Sequence, residues 1–423
     1  MIKRLKPKSE FSRNVLTLMT GTTIAQAIPI AISPILTRMY TPEDFGVLAV
    51  FVAITSIFGS IANGRYELTI MLPEKDEDAI NIFALGFIIT SVISLILLVL
   101  VTIFHSDLEI ILNNKSIGIW LYFIPVAVFF TGVYNILNYF NNRKKYYKDI
   151  AKATIIKSII TAVIQLSVGF LKGGVGGLIG GQVISQLFAN MRLIRNVIKD
   201  KFLISNISKD KMMMLAKKYK DFPKFTLWAG LASTLSVHYT NILISSIFSV
   251  ATLGFYSLVQ KLLGVPSVLI GNSIGQVFFQ EATKEKRLTG SAKKTFKATL
   301  QKLIIIGLPS FTILYFIVEE LFAFVFGEEW RVAGIYAEIL LPLIAIQFIV
   351  SPLTVINQVY LKNKNVMFWQ LGLLFIYMFI LYISNLLKLE FFLVLQCITS
   401  IVSIYYLFHL YLLSSYIRKE KHE

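Results

Sequence analysis

Apolar residues run along this chain in blocks of roughly 20, each long enough to cross the hydrocarbon core of a bilayer as one helix. Polar residues collect in the stretches between them. Twelve blocks are predicted to be membrane-spanning helices: 14–36, 46–72, 82–104, 117–138, 150–171, 174–194, 225–248, 250–279, 300–326, 334–361, 367–387 and 391–414. Between the sixth and seventh lies the longest polar stretch, 199–221, with Met212-Met213-Met214-Leu215 set among lysines. That pattern predicts an amphipathic helix lying at the membrane surface, or simply the linker between two halves.

Composition removes the soluble alternative. Of the 423 residues, 56% are hydrophobic and 15% charged, with a mean hydropathy of +0.69, too apolar for a water-soluble fold of this length. The basic start, 1–13, is followed by a long apolar block and no small-residue cleavage site, so an uncleaved first span is expected. The net charge of +17 sits in loops between spans, where it orients a membrane protein and gives no footprint for nucleic acid. Five of the 41 Lys and Arg (Arg38, Lys115, Lys172, Arg331, Lys388) fall near one set of loops. That side is predicted to be external and both termini cytoplasmic. The only cysteine, Cys397, lies within an apolar block, so no internal disulfide is possible. His105, His238, His409 and His422 lack metal-ligand spacing, and neither a metal nor another cofactor is implied.

The two halves echo each other. Phe11-Ser12-Arg13 precedes span one as Phe222-Pro223-Lys224 precedes span seven. Thr41-Pro42-Glu43-Asp44-Phe45-Gly46 opens span two where Ser249-Val250-Ala251-Thr252-Leu253-Gly254 opens span eight, and Gly64 and Asn272 then share an offset. An even number of spans per half preserves topology. The expected architecture is therefore an all-α integral membrane protein of about twelve transmembrane helices in two pseudo-symmetric six-helix lobes around a central cavity. The lobes are 1–198 and 222–423, joined by a cytoplasmic linker, 199–221.

The turn Thr37–Gly46, Arg65-Tyr66-Glu67-Leu68, Asn142-Arg143-Lys144-Lys145, Phe255–Lys261 and Ile274–Glu281 together resemble, in order and spacing, the polysaccharide flippases that move O-antigen and capsule repeat units. That family belongs to the multidrug/oligosaccharidyl-lipid/polysaccharide exporter superfamily. The resemblance implies a transporter and not an enzyme. Its cargo would be a polyprenyl-diphosphate-linked oligosaccharide, moved from the cytoplasmic to the outer leaflet of the bacterial inner membrane by alternating access. The implied setting is lipopolysaccharide or capsule biosynthesis, with membrane lipids and a polysaccharide polymerase and its chain-length machinery as further partners.

Such cargo needs cations and sugar-binding groups at membrane depth. Lys261 lies about 16 Å into span eight, near the midplane, with Ser257, Gly264, Asn272, Gly275 and Gln276 expected on its helical face. Arg65, about 28 Å into span two, is a cargo contact or a headgroup anchor, because a continuous helix would turn it away from the polar face of Ser56, Ser60, Asn63 and Glu67. Lys157, about 10 Å into span five, has the same two readings, and Arg38 either aids release or pairs with Glu43 or Asp44. Gln26, Asn138, Gln165, Asn241 and Gln260 are candidate sugar contacts or interhelical hydrogen bonds. Glu67, the one acid seen well inside a span, is the candidate for ion coupling.

Remaining features have plainer readings. The glycines at 173, 176, 177, 180 and 181 lack the Gly-Lys-Ser/Thr of a phosphate loop and predict close helix packing. Pro29, Pro34, Pro342 and Pro352 predict kinks, and Trp120 and Trp330 predict interfacial anchors. A small-molecule exporter of the same superfamily, driven by an ion gradient, is the alternative. It would more naturally carry buried acids than a midplane lysine. Short external loops and the absence of paired carboxylates speak against a glycosyltransferase, polymerase or ligase, and a peptidoglycan-precursor flippase would carry two further spans.

Overall fold

A computed structural model describes residues 10–112, 115–360 and 362–419. Those residues form helices and turns, with no strand among them. Long helices occur at each predicted span: α1 (Glu10–Leu36), α2 (Pro42–Gly59), α3 (Asp76–Ile103), α4 (Ile124–Arg143), α5 (Tyr147–Phe170), α6 (Val175–Ile198), α7 (Leu227–Ile247), α8 (Val250–Thr289), α9 (Lys293–Phe326), α10 (Arg331–Val350), α11 (Asn363–Leu386) and α12 (Phe391–Lys419). Among the described residues, nine helical segments are long and apolar enough to cross a membrane. The other three long helices, α6, α7 and α8, fall outside that set.

The chain separates into two compact units, Met1–Ser246 and Ile247–Glu423. In the first, α5 packs along both α1 and α6, and α3 along α4. Glycines allow the closest of these approaches: a Cβ at Gly177 would lie 2.1 Å from the Tyr40 hydroxyl, and one at Gly181 would lie 2.8 Å from Gln165. A core of Ile70, Ile80, Ile136, Leu137, Phe140, Leu193, Leu203 and Leu215 gathers the ends of α3, α4 and α6 with the stretch that follows α6. That stretch holds short helices at Lys201–Ser205 and Lys209–Lys218 and is fastened by Asn81, which donates to the Asn206 carbonyl at 3.0 Å and accepts from the Ser208 amide at 2.9 Å. Leu215 points into the core while Met213 and Met214 are exposed.

In the second unit α10 lies against α8, α9 and α12. Trp330 is fully buried at the start of α10, edge-on to Phe255 with ring centroids 5.6 Å apart. The expected interfacial anchor is therefore a core residue, because the loop before α10 folds inward over α8. Elsewhere exposed side chains such as Leu95, Ile96, Phe316 and Phe324 are apolar, as they must be where hydrocarbon is the solvent.

Both helices that open with the matched motifs start in the same way. Thr41 and Asp44 form a reciprocal capping box on α2, with Pro42 in the first turn. Ser249 caps α8 by accepting from the Thr252 amide at 3.0 Å. Each cap satisfies amides that hydrocarbon could not.

Candidate functional site

Span two is not one helix. α2 ends at Gly59, a turn follows through 60–65, and Tyr66–Met71 continues as a 3-10 helix. Gly64 and Arg65 both hold positive φ, +59° and +65°, in the left-handed region. Glycine adopts that conformation freely, whereas for Arg65 it costs about 1–2 kcal/mol. The turn is tied down by Asn63, whose amide donates to Thr90 Oγ1 at 2.7 Å and to the Gly132 carbonyl at 3.0 Å. The helical-phase expectation that Ser56, Ser60, Asn63 and Glu67 share one face, with Arg65 on another, fails because no continuous helix connects them.

The turn instead brings Arg65 and Glu67 together at 3.6 Å, with the Glu67 side chain 5% exposed and that of Arg65 19%. The pair is incompletely satisfied: Glu67 Oε2 and Arg65 Nε are buried without a hydrogen-bond partner. The Arg65 guanidinium lies on the backbone of α7 at Gly230, where an added Cβ would fall 1.5 Å from Nη2. Next in sequence, Tyr66 donates to the Ala216 carbonyl at 3.0 Å, linking the turn to the Lys209–Lys218 helix. Below it, Arg143 clamps the return to α3. It binds Asp76 at 2.8 Å and donates to the carbonyls of Ile70, Pro73 and Glu74, while Lys144 reaches the second Asp76 oxygen at 2.6 Å. The motif Asn142-Arg143-Lys144-Lys145 is thus a brace for the turn.

Lys157 stands near the middle of α5, 15 Å or so from the helix start at Tyr147. It lines a cavity of about 160 Å³ with Thr55, Ser56, Thr131, Gln182 and Gln186, and its ammonium sits 5.8 Å from the Tyr134 ring centroid. No carboxylate pairs with it among the described residues. A desolvated cation is stabilised there by an aromatic face and hydroxyl and amide dipoles.

The neutral candidates divide. Gln165 is turned into the α5–α6 contact: its side-chain amide donates to the Leu178 carbonyl at 3.2 Å, and its backbone carbonyl accepts from the Tyr40 hydroxyl at 2.6 Å. Burial, with the Asp44 carboxylate as a lesser cause, pushes the Tyr40 phenol up to about 12. The bond to Leu178 is the interhelical hydrogen bond that the sequence offered as the other reading of Gln165. Gln26, Asn138 and Asn241 each keep a buried carbonyl oxygen without a partner. Arg38, at the end of α1, is exposed and pairs with neither Glu43 nor Asp44, because Asp44 is engaged in the α2 cap.

In the second unit Lys261 is exposed on α8 and forms no ion pair among the described residues. One turn further, Gly264 faces open space, whereas Gly271 and Gly275 pack on Pro352, each placing a Cβ within 3.6 Å of it. The expected polar face is open around Lys261 and becomes a helix contact beyond. Gln260 donates to the Tyr256 hydroxyl at 2.8 Å. The side chains of Asn272 and Gln276 lie outside the described residues. Glu67 is joined by further acids within spans that the sequence left unremarked: the half-buried Glu338, about 10 Å into α10, and Glu319 and Glu320, about 10 Å from the end of α9, where Arg331 pairs with both. Gly230 also went unnoticed. A glycine inside a transmembrane helix invites a close neighbour, but only the fold identifies it as Arg65.

A family model described as "Polysaccharide biosynthesis protein" matches residues 35–334. No curated protein sequence matches the chain. Among solved structures, a multidrug resistance MATE family transporter of the MOP superfamily, in an inward-facing conformation, is similar with a TM-score of 0.73 at 12% identity, covering 95% of each chain. The lipid II flippase MurJ gives 0.71 at 12% identity, covering 93% of this chain and 87% of that one. The MATE multidrug transporter DinF-BH gives 0.63 at 16% identity over 96% of both. At these identities the likeness is one of fold.

Proposed function

Because the chain belongs to the polysaccharide biosynthesis protein family and has the fold of MOP-superfamily transporters, we propose that it flips a polyprenyl-diphosphate-linked oligosaccharide. The cargo moves from the cytoplasmic to the outer leaflet of the bacterial cytoplasmic membrane, supplying repeat units for O-antigen or capsule. Two six-helix lobes, both termini cytoplasmic, alternate access to the two sides.

One observation carries the reading: the spans hold cations that no anion among the described residues neutralises. Lys157 and Lys261 have no carboxylate partner among the described residues, while Glu67 is held by Arg65. An unpaired ammonium at membrane depth is costly unless an anion arrives to meet it, and a diphosphate is such an anion. Arg65 and Arg38 complete the cationic set. Gln26, Asn138, Asn241 and Gln260 serve the sugars, and Glu67 serves ion coupling by exchanging Arg65 for a proton. The polyprenyl tail needs no such provision, since it stays in lipid.

The test is deletion of the gene with the glycan pathway intact. Lipid-linked oligosaccharide should accumulate facing the cytoplasm while surface glycan disappears. Unchanged glycan with increased sensitivity to small cationic toxins would instead establish the small-molecule exporter.

A further inference from the structure

α8 and α9 are far longer than a bilayer requires. At 40 and 34 residues they extend about 60 and 51 Å, against a hydrocarbon core of about 30 Å. Their ends, joined at Gly290, enclose a groove of about 950 Å³ that the transport reading does not use. Its deep end is apolar, formed by Ile274, Val277 and Ile306, with Val277 62% and Ile306 51% exposed. Its outer end carries Lys284, Lys294 and Lys302.

Depth along α9 orders these groups. Counted from Phe326 at the far end of the helix, Ile306 lies about 30 Å along, where the hydrocarbon ends. Lys302 lies about 36 Å along, in the headgroup layer, and Lys294 about 48 Å along, on the aqueous side of it. None of the three lysines forms an ion pair among the described residues. Of the two acids in the groove, Glu285 is engaged by the amides of Lys294 and Thr295 at 2.9 and 2.7 Å. The neighbouring Lys286 turns away onto Tyr360, 4.0 Å from its ring centroid. An apolar floor at the hydrocarbon edge, with Lys302 at headgroup depth and Lys284 and Lys294 lining the same groove, is complementary to one kind of molecule.

We infer that this groove is a binding site for an anionic phospholipid, distinct from the transported cargo, with an acyl chain along Ile274, Val277 and Ile306 and its phosphate among Lys284, Lys294 and Lys302. Bound there, the lipid bridges α8 and α9.

The experiment is native mass spectrometry of the full-length protein in detergent, titrated with phosphatidylglycerol or with phosphatidylcholine of the same chains. The wild type should retain one phosphatidylglycerol at least tenfold more tightly than phosphatidylcholine. Combined Lys284→Gln, Lys294→Gln and Lys302→Gln should remove that preference, with gel-filtration elution unchanged. Ala298→Trp, which fills the groove and keeps the charges, should lower retention of phosphatidylglycerol as well. Equal retention of the two lipids by the wild type, an undiminished preference in the lysine variant, or undiminished phosphatidylglycerol retention in Ala298→Trp overturns the site. Displacement of phosphatidylglycerol by inorganic phosphate at equal concentration would reassign it to a soluble anion. None of these outcomes depends on whether the protein flips glycans.

Discussion

Arg65 shows how one side chain can be misplaced by sound helical arithmetic. On an unbroken helix it points away from Glu67, yet two successive left-handed residues break the helix and the two side chains meet at 3.6 Å. Asn63-Gly64 is a turn signal in any soluble protein, but it stands inside an apolar block whose length speaks more strongly for helix. The contact with Gly230, 165 positions away, carries no local signal at all. It yields a sharp expectation: Gly230→Ala must push the guanidinium off α7 and should reduce surface glycan at least tenfold at unchanged membrane abundance, whereas Ala229→Gly should not. Normal glycan from Gly230→Ala would remove Arg65 from the machinery. At Lys157, loss of the ammonium in Lys157→Met keeps the stem in its cavity beside Tyr134. Glycan display in complemented cells should fall by a similar factor, with Lys157→Arg retaining more than Lys157→Met if charge is what matters.

At the level of elements, the positions of the helices were legible because a 20-residue apolar block has few alternatives in a membrane. Their interruptions were not. α2 stops at Gly59 and α10 gives way to a 3-10 turn at Ser351–Val355, and only the second carries a proline to announce it. Asn63 ties down the first break itself, and the Asp76 clamp holds the chain that returns from it to α3. Asp76 is partly exposed, so its bonds to Arg143 and Lys144 contribute about 1–2 kcal/mol. Asp76→Ala should lower the melting temperature in detergent by about 2–4 °C. Arg143→Ala should lower it further, since the carbonyls of Ile70, Pro73 and Glu74 lose their donor as well. Equal effects would mean that the carbonyl contacts contribute nothing.

For the whole molecule, the span pattern, the matched helix openings and the loop charges conveyed the fold class. The site was legible only as residue types at a given depth. Gln165 and Trp330 lie in apolar spans or at their ends, as cargo contacts or interfacial anchors would, and became a helix-to-helix hydrogen bond and a core residue through tertiary packing alone. Lys261 remained exposed and without an anionic partner among the described residues. The proposed transport depends on such cations meeting a diphosphate. The most direct test is transbilayer movement of a fluorescent polyprenyl-diphosphate oligosaccharide in proteoliposomes, read by a membrane-impermeant quencher. The wild type should move it, Lys261→Ala should lose at least tenfold in initial rate, and Lys261→Arg should retain more than Lys261→Gln. Equal rates for wild type and Lys261→Ala, with both correctly folded in the vesicles, would contradict the account.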